Sequence, residues 1–444
     1  MPAITAKPIT ATPITARPLT AYGLGESTEG ANPLVWHALA ANSSGVITDQ
    51  IKGAGTPTWA HTSSLLLPDY QGVYRAIGAG EAPIVGARWV GGVPYATDEL
   101  GDPLTDWWFQ CQPAYTNSLT YSNDLTNATG GWTEKGGVTT AVDAVGLTGA
   151  PNTATTLTDG SAGYEYVQKN GAAISADTAT HTIRVFVKKD ADVSRFPGFQ
   201  LDVNGGTVQT IKIWLNTSTG AIDTTSSVGT FSAEANDVGD WWEVIGQVAN
   251  NSTNTGTRVY AFPASGTTIG SPSPTATGSI IVGNVELHLN KTIAAVRGTP
   301  AIVTAASTVT ITEATGDFDT GNMVDTCGGI YLETVQEVAG NILDGFLSTT
   351  GANFQLSDGT NTATRPWTAG TSAQVGIAWD ATAGTMAINV DGTWSSNATY
   401  DGSLLSGDLD IFRSPSGASK MRNLKRYRAS NLAAAKALVD GDMP

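Results

Sequence analysis

The stretch His181-Thr182-Ile183-Arg184-Val185-Phe186-Val187-Lys188 puts Ile183, Val185 and Val187 on one face of an extended chain. Period two with β-branched residues is the pattern of a strand with one face in a core. Similar runs flank it at 208–215, 241–248, 257–262 and 279–289. The turns between them are Asn204-Gly205-Gly206, Thr217-Ser218-Thr219-Gly220 and Asn251-Ser252-Thr253-Asn254-Thr255-Gly256. Gly and Asn accept the backbone conformations tight turns need, so this order predicts a β-sandwich over 116–295.

The pattern extends outward. Strands are expected at 308–312, 329–335, 354–356, 373–380, 385–390 and 409–412, with 375–380 and 385–390 forming a hairpin across Ala381-Thr382-Ala383-Gly384. These define a second sandwich over 296–444, closed by a helix at 431–439 that Ser430 would cap. Residues 23–115 are turn-rich and read as a β- or coil-rich connecting region packed by Trp36, Trp59, Trp89, Trp107 and Trp108. The fold class expected is all-β: tandem β-sandwiches after an extended N-terminal arm, with one short C-terminal helix.

That arm, residues 1–22, carries a five-residue repeat: Lys7-Pro8-Ile9-Thr10-Ala11, Thr12-Pro13-Ile14-Thr15-Ala16 and Arg17-Pro18-Leu19-Thr20-Ala21. Proline at this spacing excludes an α-helix and forces extended geometry, so some twenty residues would span about 60 Å. In either a polyproline helix or a strand, successive apolar residues of the series Ile4, Ile9, Ile14 and Leu19 turn to different faces. An arm apolar on every side is expected to be enclosed, by a groove in a partner or by symmetry-related copies, with Ile4, Pro8, Ile9, Pro13, Ile14, Pro18 and Leu19 as particle-anchoring residues. A disordered Pro/Thr/Ala leader is the alternative.

The chain of 444 residues has 23 basic and 39 acidic residues, a formal charge of −16. Such a surface repels phosphate and anionic lipid, so neither nucleic acid nor membrane is expected as a partner. No signal-peptide pattern opens the sequence and no run of eighteen apolar residues occurs, so lysis or incorporation into a particle is the expected route outside a cell. Cys111 and Cys327 read as structural thiols in different domains.

Catalytic signatures are missing. No Gly-x-Ser-x-Gly, His-x-x-x-His, Cys-x-x-Cys or Gly-x-x-x-x-Gly-Lys occurs, and the histidines are only 37, 61, 181 and 288. Sugar hydrolysis needs two carboxylates across a cleft, and nothing singles out a pair; Asp401 and Asp408 read as turn and strand-end residues. No catalytic residue, metal or cofactor is therefore expected. Recognition of a sugar asks only for aromatic faces flanked by amides and hydroxyls. The candidates are Trp132, Tyr164, Tyr166, Trp241 and Trp242 in the first sandwich and Trp367 and Trp394 in the second. Period-two geometry puts Trp241 and Trp242 on opposite faces, leaving open which is available. The basic run Lys420, Arg422, Lys425, Arg426 and Arg428 reads as a solvated strand face.

The series Asn117-Ser118-Leu119-Thr120-Tyr121-Ser122-Asn123-Asp124-Leu125, Trp132-Thr133, Tyr166-Val167-Gln168, 185–188, Gly239-Asp240-Trp241-Trp242 and 281–287 resembles the carbohydrate-binding-module-like jelly rolls of phage tail, neck and head-fibre proteins. Glu81-Ala82-Pro83-Ile84-Val85-Gly86-Ala87-Arg88 looks like the lead-in such virion proteins place before that domain. Gly376-Ile377-Ala378-Trp379, Gly384-Thr385-Met386 and Ile388-Asn389-Val390-Asp391-Gly392 are similar to laminin-G-like or concanavalin-like sandwiches, without their acidic metal cluster. The resemblance implies a structural virion protein, a fibre, spike or decoration of head, neck or tail. It would be assembled in the host cytoplasm, docked on other virion proteins through residues 1–22, and displayed on the virion surface as a homo-oligomer, a trimer by analogy. Its sandwiches would serve adhesion to glycans or proteins of the host surface. A glycan-degrading tail enzyme and a free lectin are the alternatives.

Overall fold

The computed structural model describes residues 36–443 except 39, 43, 49–57, 127, 162, 271–275, 319–325, 344–345, 403–408 and 412–416. The anchoring residues Ile4, Pro8, Ile9, Pro13, Ile14, Pro18 and Leu19 lie outside the described residues, as does Asp408. The described chain is all-β, with antiparallel sheets and two short helices, Ile293–Val296 and Leu432–Asp440.

The strand quoted first, Thr180–Lys188, runs through a six-stranded sheet between Trp241–Ala249 and Gly278–His288. Ile183, Val185 and Val187 face inward, as their spacing requires, and meet Phe199, Leu201, Val203, Ile211 and Ile213 of a second six-stranded sheet. The two sheets make the middle sandwich around one core. They approach closely: a Cβ added to Gly246 would stand 2.4 Å from Ile213 Cδ1, so any larger residue there would have to displace that side chain. Each fully buried aliphatic in this core contributes roughly 1.5–3 kcal/mol.

The other sandwich is assembled from both ends of the described chain. Its nine-stranded sheet contains the expected hairpin, Ser372–Asp380 with Thr385–Val390, next to Cys327–Gln336 and Ser419–Arg428. Residues read from the sequence as a connecting region complete it: Trp36–Ala38 and Trp108–Cys111 pair with Ser419–Arg428, and Ile84–Val85 extends the edge. Thr58–Trp59 joins the opposing seven-stranded sheet. Pairing between residues some three hundred apart leaves no local trace in a sequence, and strands of two to four residues are too short to show a period. The middle sandwich is thus inserted into the outer one. Its entering strand Tyr115–Asn117 and its leaving strand Val309–Ile311 are hydrogen-bonded to each other.

Three smaller expectations change. Cys111 and Cys327 are both buried thiols of the nine-stranded sheet, at opposite ends of it, not in separate domains. Asn431 caps the last helix, its side chain accepting from the Ala434 amide, because the backbone is still extended at Asn431 and turns helical only at Leu432. The basic run is not a solvated face: Arg422 pairs with Glu333, Lys425 with Asp442, and Arg426 is buried, since Ser419–Arg428 is a central strand.

Candidate functional site

The seven aromatic candidates are not brought together. Trp132 is fully buried in the core of the middle sandwich and cannot stack on a sugar. Trp241 and Trp242 do point to opposite faces, yet both are buried. Trp242 lies in the sandwich core, its indole N–H donating to the Thr217 carbonyl, while Trp241 packs with Phe186 of the neighbouring strand beneath Tyr74 and Ala301, which cover the sheet from outside. Both are therefore core residues. Trp367 and Trp394 are half-buried in the outer sandwich, Trp367 edge-on to Phe354 and Trp394 donating to Asp440 of the last helix. Tyr164 is half exposed in a loop, and Tyr166 stands partly exposed on a strand face.

The covered face of the middle sandwich is a junction. Arg184 donates to Glu243 Oε1 at 2.7 Å and to the Thr299 carbonyl at 2.9 Å, and lies 3.5 Å from Glu286. Burial alone would lower the Arg184 pKa, but the two carboxylates outweigh it and hold the guanidinium charged. Glu286 also accepts from the Ile302 amide and meets His288 Nε2 at 2.8 Å. Facing turns add backbone contact, since a Cβ on Gly72 would stand 2.6 Å from the Val238 carbonyl and one on Gly239 would stand 2.5 Å from that of Gln71. One side of this sandwich is consequently spent on attachment.

The opposite side is not. In the second sheet Val259 and Ala261 point into the core, so Arg258, Tyr260 and Phe262 point out; on the adjacent strand Val167 is core and Tyr166 and Gln168 face out. Cross-strand register aligns Gln168, Tyr260, Gln200 and Lys212 in one row and Asn170, Arg258, Asp202 and Thr210 in the next. In the row beyond Tyr260, Phe262 pairs with Gly198 and Gly198 with Trp214. A Cβ at Gly198 would stand 2.0 Å from the Trp214 ring, so the glycine lets the indole fold over the sheet to 5.9 Å from Phe262. Tyr166 lies 5.1 Å from Phe262, and Tyr260 stacks on Phe262 at 6.1 Å with 16° between planes.

The result is a strip of aromatic rings bordered by hydrogen-bonding groups. Gln200 and Thr210 both donate to Asp202 Oδ1, at 2.7 and 2.8 Å. Arg258 donates to Asn170 Oδ1 at 2.9 Å and to the Tyr260 hydroxyl at 3.5 Å. Burial holds the Tyr260 phenol above its usual range, so it stays protonated. Tyr166, Gln168, Arg258, Tyr260 and Phe262 are partly exposed, with Trp214 beneath them at 5%. A partly exposed aromatic strip, Tyr260 and Phe262 near-parallel and Tyr166 tilted by 45° to Phe262, bordered by amide, hydroxyl and guanidinium donors, offers apolar contact and directional hydrogen bonds to a polyhydroxylated ligand.

The chain matches no family model and no curated protein. Tyr260, Phe262, Trp214 and Arg258 were missed as candidates, although 257–262 reads as a strand in the sequence and its alternation already sets Tyr260 and Phe262 opposite Val259 and Ala261. Among the described residues no group of three or more His, Cys, Asp or Glu is placed to hold a metal, and no helix is long and apolar enough to cross a membrane.

Proposed function

We propose that the protein is a non-catalytic adhesion component whose middle sandwich binds glycans on the face carrying Tyr166, Tyr260 and Phe262. The observation that carries this reading is the contrast between the two faces of that sandwich: one is covered by Tyr74 and by the segment around Thr299 and Ala301 that Arg184 holds, the other presents partly exposed rings among hydrogen-bond donors. Sugar platforms need both kinds of group at pyranose spacing. Glycan-array binding by the intact chain is expected, and Tyr260→Ala with Phe262→Ala is expected to abolish it while leaving the thermal midpoint of the middle sandwich little changed. Unaltered binding by that double variant would place the site elsewhere.

The setting we propose is a virion, as a fibre, spike or decoration protein displayed on the particle surface and docked on other virion proteins through residues 1–22. Its support is the ordered resemblance of the segments from Glu81 to Leu287 and the all-round apolar repeat. Position and copy number in an assembled particle test it, and a copy number divisible by three would accord with a trimer. Release of the protein as a soluble monomer with no particle would favour the free-lectin reading.

A further inference from the structure

The aromatic strip is ringed by cations in a chain whose acids outnumber its bases, 39 to 23. Lys135 is paired across the strands with Tyr166, Lys212 lies in the row of Tyr260, and Arg258 is two residues from Tyr260 on the same face. Among the described residues the amines of Lys135 and Lys212 make no hydrogen bond or ion pair, and Arg258 meets only the neutral Asn170 and Tyr260. Several other guanidinium groups are matched to carboxylates, Arg75 with Asp69, Arg195 with Asp190, Arg297 with Glu234 and Arg422 with Glu333, while Arg88 meets a backbone carbonyl and the Tyr95 ring.

Two acids share the face, and both are occupied. Asp202 accepts from Gln200 and Thr210, and Asp223 from the amide and hydroxyl of Thr225. Arg258 reaches Asn170 on the strand away from its cross-strand neighbour Asp202, and one of its outer nitrogens meets the Tyr260 hydroxyl. A guanidinium held this way is matched to a planar carboxylate, which it can grip through two parallel N–H bonds.

From this charge complementarity, and resting on the reading of the strip as a sugar platform, we infer that the ligand is an acidic glycan. A uronic-acid-type carboxylate lies against Arg258 while the sugar stacks on Tyr260 and Phe262, and Lys135 and Lys212 attract the rest of an anionic chain.

The test is binding of the intact protein to a panel of uronic-acid polysaccharides, each paired with its carboxyl-reduced counterpart. The acidic member is expected to bind at least about tenfold tighter, Arg258→Gln to close most of that gap, and added salt to weaken binding of the acidic member alone. The salt series needs no variant, so it holds even if Arg258→Gln folds poorly. Equal binding of both members, lost in Tyr260→Ala, would overturn the charge assignment and leave the platform standing. Binding to no member of any pair would overturn both.

Discussion

Asp159 and Glu165 are both buried and face one another at the edge of the middle sandwich. Glu165 accepts from the Ser161 hydroxyl and the Gly160 amide, whereas Asp159 Oδ2 has no hydrogen-bond partner among the described residues. Desolvation, reinforced by the Glu165 charge, pushes the Asp159 carboxyl up to about 6 from 3.8. A carboxyl that holds its proton better folded than unfolded favours folding below pH 4, and that benefit is lost as pH rises through about 6. Asp159→Asn keeps the shape and removes the charge, so it is expected to stabilise the chain at pH 7.5 by up to about 3 kcal/mol and to change little at pH 3.5. Urea unfolding at the two pH values measures this; an equal effect at both would refute the assignment. Legibility is uneven at single positions. Trp132, Trp241 and Trp242 drew attention because they are large and aromatic, but aromatic side chains are also the natural filling of a core. What hides Trp241 is a hairpin more than 160 residues upstream, and nothing in its own neighbourhood announces that cover.

The strands were the most readable elements. Those expected at 208–215, 241–248, 257–262 and 279–289 form at Gln209–Leu215, Trp241–Ala249, Gly256–Phe262 and Gly278–His288, because alternation and turn residues are local information. The last helix was readable in place but not in its docking. It lies on the nine-stranded sheet, with Val439, Ala435 and Leu432 against Tyr331, Tyr427 and Ala378. It sits so low because Gly329 and Gly376 leave it room, a Cβ at Gly376 standing 2.3 Å from Val439 Cγ1. Gly376→Val is therefore expected to lift the helix and cost about 1–3 kcal/mol, whereas Asn431→Ala, which removes only the cap, is expected to cost about 1 kcal/mol. Hydrogen exchange over 432–440 distinguishes them: Gly376→Val exposes the whole helix, Asn431→Ala only its first turn.

Taken whole, the molecule buries a charge cluster where the middle sandwich meets the segment leading back to the outer one: Arg184, Glu243 and Glu286 lie on neighbouring strands of the middle sandwich's own sheet and Arg184 reaches the Thr299 carbonyl, an arrangement the sequence does not reveal because these residues are scattered over more than a hundred positions. Removing one partner of such a cluster leaves the others buried and unmatched, typically at about 3–5 kcal/mol. Calorimetry of the wild type is expected to show the two sandwiches unfolding together, and Arg184→Met to separate them into two transitions. A single transition in the variant would mean that the hydrophobic contacts of Tyr74, Phe186 and Trp241 couple them unaided.

The paired strands Tyr115–Asn117 and Val309–Ile311 bear on how the middle sandwich would behave under load. A domain hung on one linker passes all tension through a single backbone and swings freely about it. Here the load divides between two covalent paths that leave side by side, so the aromatic side keeps a fixed aim and the middle sandwich has no free end from which it can be peeled.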